Sequence, residues 1–104
     1  MTKVYINKEK GFIKSFTLMG HAGYNNSGPD IVCAAVSTAS QMTIIGLESV
    51  ANAKFTSVCT TPGLMKIELN EESNERANTL METLELTLLT LSSQYPQNVQ
   101  VYSC

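Results

Sequence analysis

The sequence predicts an α+β two-layer sandwich in which two helices pack on one face of a mixed or antiparallel sheet. Its 104 residues leave room for one domain with one hydrophobic core. Apolar residues make up 43% of the chain and charged residues 15%, which is typical of a globular protein. The spacing of the apolar residues switches between strand and helix periods along the chain, in the order ββαββαβ. We therefore treat residues 1–104 as a single domain.

The first two segments predict a β-hairpin followed by a loop. Val4 and Ile6 alternate with polar residues, and a polar turn over residues 8–11 leads to a second alternating segment, Phe12–Met19. Residues 20–29 contain several glycines and asparagines and few apolar residues. We expect this segment to be a mobile loop.

The middle of the chain predicts a helix and a second hairpin. Over residues 30–53 the apolar residues recur every three or four positions, as one face of a helix requires. The buried stripe contains Val32, Ala35, Val36, Ala39, Thr43, Leu47 and Val50. Residues 55–60 and Leu64–Leu69 then form two short apolar strands around a Thr-Pro-Gly turn.

The last third predicts a second helix and a fifth strand. Glu71, Glu72 and Glu75 form an acidic helix start that is expected to be solvated, and Tyr95-Pro96 ends the helix. Its apolar stripe consists of Ala77, Leu80, Met81, Leu84, Leu88 and Leu91. Val99 and Val101 alternate with polar neighbours, which indicates a final strand. We interpret Met19, Met42, Met65 and Met81 as core residues.

Composition argues against several classes of partner. A net charge of −2 provides no basic surface for nucleic acid. No apolar run reaches the roughly 18 residues that span a bilayer, and the N-terminus lacks a secretory signal, so we expect a cytoplasmic protein without a membrane partner. Three cysteines at wide spacing are read as reduced thiols, and one histidine without a CxxC or HxxxH motif argues against a structural zinc site. We expect no metal and no cofactor.

The candidate chemistry lies between Gly20 and Ser37, where the only histidine precedes a cysteine that enters the predicted helix. Free amides and the positive end of the helix dipole favour a thiolate at Cys33. The backbone amide of Cys33 could also help to bind the oxyanion of a tetrahedral intermediate. His21 could remove the thiol proton. The ordinary alternatives are a packed cysteine and a loop histidine. However, we place Cys33 on the helix face of Ser37 and Ser40, away from the stripe of Val32, Val36 and Ala39.

These residues resemble a known family, the ribosomal-processing cysteine proteases called Prp, or YsxB-like proteins. The matching strings are Gly20-His21-Ala22-Gly23-Tyr24, Gly28, and Asp30-Ile31-Val32-Cys33-Ala34-Ala35-Val36-Ser37. The resemblance covers the whole chain, including Tyr95-Pro96 before the last strand. Pro29 departs from the variable polar residue expected there.

The resemblance implies a homodimeric bacterial endopeptidase that removes the N-terminal extension of large-subunit ribosomal protein number twenty-seven. It implies Cys33 as nucleophile and His21 as general base. Asp30 either orients His21, binds substrate or caps the helix, and Ser37 either lines the site or is a surface residue. Gly23 and Gly28 lie in the loop expected to close over a peptide.

Two other functions compete with the protease. A ribosome-associated module could bind the same peptide without cutting it, although a binder needs no thiol at a helix start. A thiol redox protein is disfavoured because no resolving cysteine lies near Cys33.

Overall fold

The computed structural model describes residues 1–20, 27–61, 63–70 and 75–103, with only the backbone of residues 27–30. Its elements are β1 (Thr2–Glu9), β2 (Phe12–Met19), α1 (Ser27–Ile45), β3 (Phe55–Thr61), β4 (Leu64–Leu69), α2 (Glu75–Gln94) and β5 (Val99–Ser103). A short π-helical turn, Gly46–Val50, continues α1. The predicted order of elements is confirmed.

The strands form one mixed sheet in the order β3-β4-β2-β1-β5. Neighbours pair antiparallel except β1 and β5, which are parallel. A parallel pair requires a long crossover, and here the chain between β1 and β5 contains both helices. The α+β class with two helices on a mixed sheet is therefore confirmed.

A bulge in the β1–β2 hairpin changes which side chains of β2 are buried. The pairing register shifts between Asn7 and Lys8, so Ile13 and Phe16 are both buried although they are three positions apart. Phe12 is exposed instead. Simple alternation along the strand had placed Phe12 with Phe16, and an extra residue at a bulge reverses such an assignment. The side chain of Asn78 in α2 accepts a hydrogen bond from the Ile13 N–H at this point (3.0 Å).

Helix α1 begins at Ser27, three residues before the predicted start at Asp30. Serine at a helix start and proline within its first turn are both favoured, so the start at Ser27 agrees with local preferences. The buried side chains of α1 include Val32, Val36 and also Ser40, which is 0% exposed. The Ser40 hydroxyl donates to the Val36 carbonyl (2.8 Å), so a polar residue lies in the core without an unpaired group. The sequence analysis placed Ser40 away from the buried stripe, and this assignment is wrong because Ser40 is buried.

Apolar residues also extend over the outer side of α1. Residues Ile31–Val50 are long and apolar enough to cross a membrane by length and composition alone, contrary to the sequence expectation. The core helix of a globular domain passes the same test, but only 28% of this stretch is buried. The stretch therefore also carries exposed apolar side chains, among them Ile31, Met42 and Ile45.

The core lies between the sheet and the two helices. Its fully buried larger side chains are Val4, Phe16, Val32, Leu47, Ile67, Leu69, Met81, Leu88 and Val99. Met81 is in the core as predicted, and Met65 packs partly buried against it. Met19 and Met42 are 46% and 72% exposed, so the core assignment was wrong for these two residues.

Candidate active site

Cys33 is the seventh residue of α1 and a free, half-buried thiol. Because the helix starts at Ser27, Cys33 lies in its second turn and not at its first residues. The Cys33 N–H is then part of the i→i−4 hydrogen-bond ladder of the helix. The amides without a partner within the helix belong to earlier residues, so this helix start gives no support to the Cys33 amide as an oxyanion donor.

Cys33 lines a cavity of about 330 Å³ between α1 and one end of the sheet. The described residues around it come from α1, from the start of β1, from the end of β2, and from the β3–β4 hairpin. They are Thr2, Leu18, Gly20, Cys33, Val36, Ser37, Ser40, Gln41, Thr60, Thr61, Gly63, Leu64 and Met65. The lining thus combines apolar side chains with hydroxyl and amide groups, which suits an extended peptide with an apolar side chain.

Of the five α1 residues that line this cavity, Cys33, Ser37 and Gln41 follow one another at four-residue intervals on one stripe of the helix. The Gln41 Nε2 donates a hydrogen bond to the Ser37 Oγ (3.1 Å). Since the Ser37 oxygen accepts from Gln41, its own O–H remains a donor for another group, such as a peptide carbonyl. The sequence had suggested Ser37 as a lining residue, and its position at the cavity agrees with that suggestion.

The end of β2 meets the cavity at Gly20. Its φ is +93°, and a Cβ there would lie 2.5 Å from the Met1 carbonyl oxygen. Its N–H donates to the Gly63 carbonyl (3.0 Å), which joins β2 to the β3–β4 turn. Only glycine fits this backbone conformation and this contact. Gly20 therefore fixes the point from which the chain continues to His21.

The remaining predicted site residues are only partly described. His21 and Gly23 lie outside the described residues, as does most of the predicted loop. Gly28 and Asp30 lie in the first turn of α1, and the Asp30 side chain is not described. As the fourth residue of the helix, Asp30 is not the N-cap, which removes one of its three proposed roles.

The other two thiols lie apart from this arrangement or outside the described residues. Cys59 is a half-buried residue of β3 and pairs with Lys66 of β4. Cys104 belongs to the part of the chain that is not described. Within the described ranges, no group of three or more metal-ligating side chains occurs.

Sequence reasoning missed Gln41 and the residues of the β3–β4 hairpin. The interval of four from Cys33 through Ser37 would have identified Gln41. Thr60, Thr61 and Met65 carry no comparable signal, because the pairing of β4 with β2 brings them to the cavity.

A family model described as cysteine protease Prp matches residues 1–100. Comparison with curated protein sequences gave no match. Among solved structures, the chain is similar to SMU.848 from Streptococcus mutans, with 33% identity and a TM-score of 0.88 over 99% of this chain and 93% of that chain.

Two further similar structures are of the essential ribosomal processing protease Prp from S. aureus. One is a complex with a substrate peptide, at 20% identity and a TM-score of 0.90. The other is a complex with a covalently linked product peptide, at 21% identity and a TM-score of 0.89. Each match covers 100% of both chains, and at this identity it shows a shared fold.

Proposed function

Because this chain belongs to the Prp cysteine protease family, we propose that it is an endopeptidase that removes the N-terminal extension of large-subunit ribosomal protein number twenty-seven. The observation that carries the proposal is the position of the half-buried Cys33 thiol on the wall of a cavity large enough for a peptide segment. The S. aureus protease of the same fold carries a covalently linked product peptide. Its substrate class supports a ribosomal substrate here.

In the proposed reaction, the Cys33 sulfur attacks the carbonyl carbon of the scissile peptide bond, and His21 accepts the thiol proton. His21 then donates that proton to the leaving amine, and a thioester forms between Cys33 and the extension. Water hydrolyses the thioester and regenerates the thiol. We assign Asp30 to orienting His21 or binding substrate, since it is not the helix N-cap. Such an enzyme would act in the cytoplasm, where ribosomes assemble.

The test is to mix the purified protein with the extended ribosomal protein and to measure product masses. We expect one cut by the wild type, none by Cys33→Ala, and wild-type turnover by Cys59→Ser, because Cys59 lies on β3 and does not line the cavity. Turnover by Cys33→Ala would contradict the role of the thiol. Binding of the extension by wild-type protein without cleavage would instead favour the non-catalytic module.

We also propose that the enzyme is a homodimer that buries the outer face of its helices. Three side chains on one side of α1, Ile31, Met42 and Ile45, are 70%, 72% and 63% exposed. Their spacing places them on one stripe. Leu86 of α2 is 63% exposed as well. Apolar exposure on this scale is typical of a surface that another molecule covers.

Two properties of this face favour a second copy of the chain. From residue 31 to 47, α1 and the start of the π-helical turn contain no charged residue, so two copies of the stripe can meet without repulsion between like charges. On α2, the hydroxyls of Thr79, Thr83, Thr87 and Thr90 each donate to the carbonyl four residues earlier. With these donors satisfied within the helix, the threonines offer mainly methyl groups to a partner. A cavity of about 410 Å³ between the helices, lined in part by Met42 and Ile45, could receive apolar side chains of the partner.

A further inference from the structure

Strand β3 forms one edge of the sheet and lacks the usual protection of an edge. In the described part of the chain, no strand pairs with its outer side. Its seven residues, FTSVCTT, include no charge and no proline. A register shift occurs only at its beginning, between Phe55 and Ser57. Natural edge strands usually carry charges, prolines or bulges that prevent pairing with another chain. An open, regular edge over residues 57–61 therefore suggests that another strand pairs there.

The pairing register shows which backbone groups of this edge are free. Gly20 donates to the Gly63 carbonyl, so residues 63, 65 and 67 direct their backbone groups towards β2. The alternate residues of β4 then face β3 and pair with Thr61, Cys59 and Ser57. The N–H and C=O groups of Val58 and Thr60 consequently point away from the sheet.

The C-terminal end of this edge lies at the cavity that contains the candidate nucleophile. Thr60 and Thr61, at the end of β3, line the same cavity as Cys33. A peptide that pairs with β3 would therefore run into the cavity along the strand direction. Its side chains would alternate between the helix side of the sheet, where Cys33 lies, and the opposite side.

We propose that the substrate binds as an added antiparallel or parallel β-strand on the free edge of β3, with backbone hydrogen bonds to Val58 and Thr60. This inference rests on the proposed protease function and specifies how the substrate is held. In this binding mode the main chain supplies affinity and every second side chain supplies specificity. The extension must then be extended near the cut, without a helix or a proline at the pairing positions.

A peptide series tests this binding mode with the wild-type enzyme. A synthetic peptide that spans the extension and its junction is compared with versions in which one backbone nitrogen at a time is methylated. On one side of the cut, we expect methylation of every second backbone nitrogen to raise KM roughly two- to tenfold, because each of these nitrogens loses a hydrogen bond to β3. Methylation of the nitrogens between these positions should change KM little. Uniform effects, or none, would overturn the added-strand proposal. Failure to cleave the unmodified peptide would instead contradict the proposed function.

Two variants of β3 provide a second test. Val58→Pro removes an N–H that faces outwards, which an edge strand tolerates, and we expect a higher KM with an unchanged kcat. Val58→Thr keeps the N–H and the β-branched shape, so the difference in KM between Val58→Pro and Val58→Thr reports the loss of the N–H. If Val58→Pro abolishes dimer formation and leaves KM unchanged, the edge binds a second copy and the proposal is wrong. If Val58→Pro does not fold, the peptide series decides alone.

Discussion

Gly20 combines a left-handed backbone with close contact to the chain start, immediately before His21. An alanine there would combine strain from φ +93° with a Cβ only 2.5 Å from the Met1 carbonyl oxygen. Gly11, in the β1–β2 turn, has a similar φ of +84° but nothing within 4 Å of its Cβ position. A comparison of alanine substitutions at Gly11 and Gly20 therefore distinguishes the cost of backbone strain alone from the cost of strain combined with a close contact.

We expect Gly11→Ala to lower the free energy of unfolding by about 1 to 2 kcal/mol, the usual cost of a left-handed alanine. Gly20→Ala should cost at least about 1 kcal/mol more, since Met1 must also move, and it should reduce turnover. Urea unfolding and peptide cleavage measure the two effects. Equal losses of stability would show that the contact with Met1 relaxes without cost.

Ser37 lies one helical turn from Cys33, where its hydroxyl can donate to bound substrate while it accepts from Gln41. Ser37→Ala removes this donor, and we expect kcat/KM to fall roughly two- to tenfold, with little change in stability. Thr38→Ala is the matched control, because Thr38 is the exposed neighbour and does not line the cavity. Steady-state kinetics with the junction peptide measure the difference. An equal fall in both variants would contradict a role of Ser37 in binding.

At the scale of elements, the contact between α2 and the bulged hairpin controls how the helix sits on the sheet. Asn78 accepts from the Ile13 N–H, and Glu85 forms an ion pair with Lys8 (3.0 Å) and accepts from the Ser103 hydroxyl (3.2 Å). Both links join α2 to strands at or near the bulge. The Asn78 side chain therefore satisfies a backbone N–H next to the bulge, and Glu85 connects α2 to side chains of β1 and β5.

Asn78→Leu should lower the free energy of unfolding by about 1 to 3 kcal/mol, because it leaves the Ile13 amide without its partner. Gln94→Ala changes an exposed residue at the end of the same helix that is not among the residues of the proposed dimer face, and should cost less than about 0.5 kcal/mol. Chemical denaturation of both variants gives the comparison. If Asn78→Leu lowers the free energy of unfolding by less than the control does, water has replaced the asparagine as the hydrogen-bond partner of the Ile13 N–H.

At the scale of the whole molecule, the domain has one buried side between sheet and helices and a second apolar surface on the outside of the helices. A homodimer would bury that second surface. Since α1 carries both Cys33 and the exposed stripe, dimer formation would also stabilise the helix that contains the nucleophile.

Ile45→Lys should convert the protein to monomers, because it places a charge in the centre of the proposed interface. Phe12→Lys alters a residue of β2 that is 42% exposed and lies away from this face, and should remain dimeric. Analytical ultracentrifugation reports both states. A wild-type monomer, or a dimer of Ile45→Lys as stable as that of the wild type, would rule out this interface. Binding of wild-type monomers to lipid vesicles would assign the face to a membrane.

The sequence by itself determined the element order, the fold class, most of the α2 stripe and the choice of Cys33 as the candidate thiol. These features follow from local periodicity, turn residues and a contiguous motif, all of which are readable along the chain. Only the tertiary structure decided that Ile13 is buried, that Ser40 belongs to the core, and that Thr60 and Met65 reach Cys33. The physical reason is that a bulge and a strand order each change which side chains meet, and both depend on how one segment pairs with another, which the residue pattern of a single segment does not show.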